Sequence, residues 1–176
     1  PKRFRIAQTF SDGSRKLVAD FRDQPYSLGG YEPQLFPCEG KAPSTGLEIT
    51  VFELGDNFEI VGETYAFILN EILAFSGNHN VALNASVEAR PDRRENRLWT
   101  TEALVDGHLP FMPIAQRYYR RDDQFTSRLE PLTIEFDLGS ERVIDGLTLW
   151  PTSYFLQNKY PDIHGLGFPT EIRFSK

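Results

Sequence analysis

The segment Leu132-Thr133-Ile134-Glu135-Phe136-Asp137-Leu138 constrains the fold more tightly than any other part of the chain. Leu132, Ile134, Phe136 and Leu138 fall on one side of an extended backbone, and Thr133, Glu135 and Asp137 fall on the other. Unbroken alternation of this length is the pattern of a β-strand with one dry face and one wet face. The same rhythm recurs elsewhere. Phe4 and Ile6 alternate with Arg3 and Arg5, and Leu47, Ile49 and Val51 with Glu48 and Thr50. Leu147 and Leu149 flank Thr148 on the way to Trp150 and Pro151, and Ile172 and Phe174 alternate with Glu171 and Arg173. The spacing predicts strands at all of these places and a turn at 139–142.

Residues 66–75 differ, because both sides of an extended chain are apolar there. Phe67, Leu69, Leu73 and Phe75 face one way, and Ile68, Ile72 and Ala74 the other. A central strand of a sandwich fits this better than its rival, a buried helix. Glu71 then points to the side of Phe67, Leu69, Leu73 and Phe75. A bare carboxylate on an apolar face costs several kcal/mol unless it is paired or bound to a metal. One helical turn is predicted at 101–107, with Thr100 or Thr101 capping its start and Gly107 ending it in a left-handed conformation.

Composition supports an all-β chain. The 14 Phe and 7 Tyr suit pleated surfaces, and 12 Pro with 13 Gly punctuate the chain often enough for short strands and many turns. The 176 residues make one good-sized domain or two cramped ones. Loops are expected at 22–46, 88–98, 108–131 and 151–168, and loops on a rigid β frame are where binding usually sits. Trp99 and Trp150 are expected as core anchors.

Several function classes are disfavoured. A formal net charge of -6 argues against a general nucleic-acid role. No apolar run is long enough to span a bilayer, so no membrane insertion is expected. No signal peptide is visible and the chain begins at Pro1, which reads as a processed chain or an excised piece. The sole cysteine, Cys38, leaves no internal disulfide and no cysteine zinc site, and is expected as an idle thiol. His79, His108 and His164 lack metal-ligand spacing, and no nucleophile elbow, phosphate loop or dinucleotide fingerprint occurs, so no enzyme is expected. Asn84-Ala85-Ser86 fits the N-glycosylation pattern.

Five segments, taken in order, carry a family resemblance. They are Asn80 to Val87, Trp99 to Gly107, Leu132 to Gly139, Val143 to Leu147 and Phe168 to Ser175. Their succession resembles the front half of a discoidin-like (F5/8 type C, galactose-binding-like) domain. Pro1 to Ile6, Leu47 to Phe52 and Phe67 to Phe75 resemble its back half. The resemblance implies a jelly-roll β-sandwich of carbohydrate-binding-module type. Residues 1–77 would supply the back half and 78–176 the front half of a single discoidin-like domain spanning 1–176. A circularly permuted domain, a cut through two tandem copies and a swapped dimer all explain the order.

The resemblance also implies a structural calcium ion held by Glu71 and by Asp106 of the Asp-Gly turn. This chain departs from relatives after that turn, with His108-Leu109-Pro110 where Asn and Thr often follow. The alternative is that Glu71 pairs with an arginine and Asp106 caps a turn. The sugar site of the family lies on loops at one end of the sandwich. Arg117, Tyr118, Tyr119 and Arg120 are candidates on one loop, and Tyr154, Asn158, Tyr160 and His164 on another. Arginine forks bind hydroxyls and anionic groups, and aromatic faces stack on sugar rings. Arg90, Arg93, Arg94 and Arg97 form a further basic group, with Asp92 and Glu95 near enough to neutralise it.

The function implied is non-catalytic carbohydrate binding by a module of a larger secreted or surface protein. Its partners would be a glycan and covalently linked neighbouring domains, and its place extracellular, periplasmic or on the cell surface. A protein-interaction or spacer module without a sugar site, or a fragment of an enzyme whose active site lies elsewhere, are the alternatives.

Overall fold

A computed structural model describes residues 3–26, 33–53, 55–56, 65–66, 69–90, 100–107 and 131–150. In chain order the strands are β1 (Arg3–Thr9), β2 (Arg15–Asp20), β3 (Gln34–Pro37), β4 (Ser44–Glu53), β5 (Gly55–Asp56), β6 (Tyr65–Ala66), β7 (Glu71–Ser76), β8 (His79–Asn80), β9 (Ser86–Arg90), β10 (Leu132–Arg142) and β11 (Gly146–Trp150). A five-stranded sheet runs β2-β1-β4-β10-β9 and a four-stranded sheet β3-β11-β7-β8, with β5 and β6 as a separate ladder. Every pairing among the described residues is antiparallel. The one helical piece among them is a 3-10 turn, Glu102–Leu104.

Alternation builds the core directly. Ile6, Ile49, Ile134 and Ala89 stand side by side across β1, β4, β10 and β9, and Phe4, Val51 and Leu132 form the next row. The four-stranded sheet answers with Phe36, Leu147 and Ala74 in one row and Leu149 and Ile72 in the next. All of these belong to one buried cluster, so the two sheets close as a β-sandwich. Burying each such large aliphatic or aromatic side chain contributes about 1.5–3 kcal/mol. Both sheets mix early and late strands: β4 pairs with β10, and β7 with β11. Beside the edge strands β2 and β3, the rings of Phe4, Phe21, Tyr26 and Phe36 cluster with centroids 4.6–6.2 Å apart.

The strands expected at 3–6, 47–51, 132–138 and 147–149 are present as parts of β1, β4, β10 and β11. The turn expected at 139–142 is absent. β10 continues through it: Asp137 pairs with Gly46 and Arg142 with Ser44, so 138–141 bulge from the ladder. Asp137 Oδ1 accepts the Gly139 amide at 2.8 Å and Gly139 takes φ 72, a local kink after which the strand resumes. The run 66–75 is not one strand either. Tyr65–Ala66 pairs with β5, Leu69 and Asn70 intervene, and β7 begins at Glu71. Strands also occupy expected loops, with β3 inside 22–46 and β9 reaching Arg90. The strand expected around Ile172 lies outside the described residues.

The helical turn forms as the 3-10 segment. Thr100 Oγ1 accepts the Ala103 amide at 3.3 Å, and Gly107 takes φ 77 just beyond the turn. Leu104 and Val105 sink into the core cluster, which fixes the turn's place beside β7.

Candidate functional site

β7 presents Ile72 and Ala74 to the core, so Glu71 lies on the other face of the sheet with Leu73 and Phe75. That is the side expected from alternation, but it is not the core side. Glu71 is nonetheless fully buried. The 3-10 segment supplies part of the reason. Packed beside β7, it carries Asp106 and Gly107 to the carboxylate, and the Gly107 amide donates to Glu71 Oε1 at 2.9 Å across 36 residues of sequence. Gly107 takes a left-handed φ of 77, and an added Cβ there would also stand 2.8 Å from Leu83 Cδ1. On the neighbouring strand Trp150 stands opposite Glu71 in register. Trp150 is half-buried and lies outside the core cluster, so it is not the core anchor expected for it.

Polar side chains are buried both at the start of β7 and in the 100–107 turn. Asn70 and Thr101 are about as buried as Glu71, and Thr101 Oγ1 has no hydrogen-bond partner among the described residues. Asp106 is half-buried. Calcium asks for six to eight oxygens, which carboxylates, hydroxyls and loop carbonyls can share. An amide on one carboxylate oxygen does not preclude a cation on the same group, because an ionised carboxylate offers about four lone-pair sites. Glu71, Asp106 and Thr101 are thus oxygen donors of the kind calcium takes, and no cluster of three or more His, Cys, Asp or Glu occurs among the described residues.

Arg117, Tyr118, Tyr119, Arg120, Tyr154, Asn158, Tyr160 and His164 lie outside the described residues, as do Arg93, Arg94, Arg97 and Trp99. Arg90 is placed, and it belongs to β9 rather than to a loop. Its guanidinium bonds Glu88 at 3.1–3.2 Å and approaches Glu135 at 3.5 Å, and the Glu88 contact raises its pKa further. Cys38 is half-buried, and burial, reinforced by the Asp145 charge, pushes its thiol up to about 11. An unreactive thiol is what that value implies.

The outer face of the five-stranded sheet carries a feature that alternation alone does not reveal. Register places Glu48, Glu135 and Glu88 side by side on β4, β10 and β9. Like charges in such a row repel. Arginines from the flanking strands offset them: Arg5 and Arg15 reach Glu48 at 3.1 and 2.8 Å, while Arg15 and Arg90 stand 3.9 and 3.5 Å from Glu135. Next to this row Gly46 opens a shallow notch of about 270 Å³ between Thr9, Arg15 and Asp137. At the sheet edge the Arg22 guanidinium holds the Asp20 carboxyl below its ordinary value.

No protein-family model, curated protein or solved structure matches this chain.

Proposed function

We propose that this chain is a non-catalytic carbohydrate-binding module of a larger secreted or surface protein, built on a circularly permuted, galactose-binding-like jelly roll. The observation that carries the reading is the meeting of Glu71 with the Asp106-Gly107 turn. These two motifs lie far apart in sequence, and the resemblance requires them to share one end of the sandwich. The hydrogen bond from the Gly107 amide to the buried Glu71 carboxylate joins them. Calcium is the cation proposed for that end, with Glu71 and Asp106 as carboxylate ligands. Its part would be to order the turn, leaving sugar contact to Arg117, Tyr118, Tyr119, Arg120, Tyr154, Asn158, Tyr160 and His164. A shallow, wet sugar site gives weak single-site affinity, and tethering to a catalytic or adhesive neighbour converts it into local concentration.

Glycan-array screening at high protein density tests the reading. Binding to a defined glycan, weakened by Tyr118→Ala and by Tyr154→Ala, supports it. Silence across neutral and acidic glycans removes it and leaves a protein-interaction or spacer module.

A further inference from the structure

The described arginines behave alike with one exception. Arg3, Arg5, Arg15, Arg22 and Arg90 each meet a carboxylate. Arg142 forms no ion pair among the described residues. It lies beside a cavity of about 460 Å³, together with His79, Asn80 and Ser76 on the polar side and Leu83 and Leu138 on the apolar side. None of the described residues lining the cavity is acidic. Of the carboxylates nearest in sequence, Glu141 accepts the Ser11 hydroxyl at 2.8 Å and Asp145 accepts the Gly77 amide of the β7–β8 hairpin at 2.6 Å, and neither forms an ion pair with Arg142.

These donors sit on anchored backbone. Arg142 re-enters the ladder opposite Ser44 after the β10 bulge, and its carbonyl accepts the Ser44 hydroxyl at 3.2 Å. His79 and Asn80 form the return arm of the β7–β8 hairpin. Asn80 Oδ1 accepts the amides of Ala74 and Ala82 at 3.1 and 3.2 Å, which leaves its Nδ2 as the end available to a ligand. A guanidinium with no ion-pair partner among the described residues, an imidazole N–H, an amide NH₂ and a hydroxyl around one cavity make a donor-rich set. Charge-assisted bonds from arginine to a carboxylate or sulfate are about twice as strong as neutral ones. The chain's net charge of -6 opposes an anion at long range, but that field is screened beyond about 8 Å at physiological salt, so the local donors decide. Leu83, 48% exposed, and the half-buried Leu138 give the same cavity an apolar wall.

We propose that this cavity is a binding site for a small organic anion, whose carboxylate or sulfate group is held by Arg142, His79 and Asn80 while its apolar side rests on Leu83 and Leu138. The site does not depend on the carbohydrate reading or on the cation at Glu71.

Nuclear magnetic resonance titration of the whole chain tests it, with sodium glucuronate, sodium sulfate and methyl glucoside as probes. The expected result is saturable movement of the His79, Asn80 and Arg142 amides with glucuronate and, more weakly, with sulfate. Methyl glucoside, which lacks the charge, leaves them in place. Arg142→Gln weakens glucuronate by about tenfold or more, in line with the loss of one charge-assisted contact, and His79→Gln weakens it less. Affinity unchanged in Arg142→Gln, anion-induced shifts confined to other surfaces, or equal response to methyl glucoside each overturns the proposal. The wild-type shift map stands as a test even where a variant folds poorly.

Discussion

Glu48 and Glu135 share one face, one row and one charge, yet their replacement by glutamine should have different consequences. Glu48 is 3% exposed and accepts three hydrogen bonds: from Arg5 at 3.1 Å, from Arg15 at 2.8 Å and from the Thr50 hydroxyl at 3.1 Å. Its neighbour Glu135 is 35% exposed, with arginine nitrogens no closer than 3.5 Å. A hydrogen bond to a charged group contributes about 1.5–3 kcal/mol net, so two from arginines set a ceiling near 3–6 kcal/mol. Arg5 and Arg15 are 32% and 52% exposed, and water recovers part of what they lose, which brings the expectation for Glu48→Gln to about 2–3 kcal/mol. For a chain of this length that corresponds to a fall of roughly 4–12 °C in melting temperature. Glu135→Gln trades a weak, screened attraction for relief of repulsion from Glu48 and Glu88, and should stay within about 0.5 kcal/mol. Urea denaturation of both variants, with an Arg15→Gln double-mutant cycle, measures the difference. Equal losses at the two positions, or a Glu48→Gln loss below about 0.5 kcal/mol, would refute the reasoning that burial and bond geometry decide which member of the row matters.

Other consequences follow from single positions. A Cβ at Gly46 would stand 2.3 Å from the Phe136 carbonyl oxygen and 2.8 Å from Thr9 Oγ1. Gly46→Ala should therefore cost about 2–3 kcal/mol by urea denaturation, and a neutral result would mean the β4–β10 pairing yields there. Asp20, its pKa lowered mainly by the Arg22 hydrogen bond, contributes stability that is present above its unfolded value, about pH 4, and is lost as pH falls through the lower folded value. Asp20→Asn should be less stable than wild type at neutral pH, with the gap closing in acid. A gap that does not narrow as pH falls below about 4 would count against the Arg22 contact as its cause. The Cys38 thiol rises from 9.0 to about 11, a difference of two pH units, so the folded chain carries about a hundredfold less thiolate than the unfolded chain near pH 8. Alkylation by iodoacetamide should slow accordingly on folding, and native and unfolded rates within about threefold would contradict that burial.

The long strands were legible because each has one dry face, and burial imposes the period of two on its sequence. The edges were not. In β2, Leu17 is 53% exposed and the pairing with β1 slips between Ile6 and Ala7, so no core face dictates its pattern. The tight turn before it, with Gly13 at φ 79 and Asp12 accepting the Ser14 amide, sets the strand instead. β3 is too short for alternation to register, and only Phe36 among its residues is buried. The bulge in β10 was misread because Asp-x-Gly chemistry serves a turn and a kink equally well. At the candidate site, the oddity of a carboxylate at Glu71 was visible in the sequence. Its partner was not: a backbone amide carries no side-chain signature, and the one that reaches Glu71 comes from a glycine far along the chain. The donors around Arg142 were likewise scattered over separate strands of the two sheets, and only the folded chain brings the β7–β8 hairpin and the end of β10 to one cavity.

Glu71 also offers a way to separate its two readings, as a clamp for the turn and as a cation ligand. Glu71→Gln keeps an acceptor for the Gly107 amide and removes the charge, whereas Glu71→Ala removes both. If the clamp is its whole role, the glutamine variant should stay near wild type and the alanine variant should fall by about 1.5–3 kcal/mol, with calcium changing neither. With calcium bound, linkage adds about 2.7 kcal/mol to the wild type at a hundred times its dissociation constant. Neither variant would share that gain, so glutamine and alanine would diverge from wild type together as calcium is added. Without calcium the glutamine variant should stay near the wild type, because it keeps an acceptor for the Gly107 amide. Melting curves of the three proteins, in chelator and in excess calcium, distinguish the cases. A wild type unmoved by calcium would leave Glu71 as the clamp of the 100–107 turn, and the cation would drop out of the proposed function.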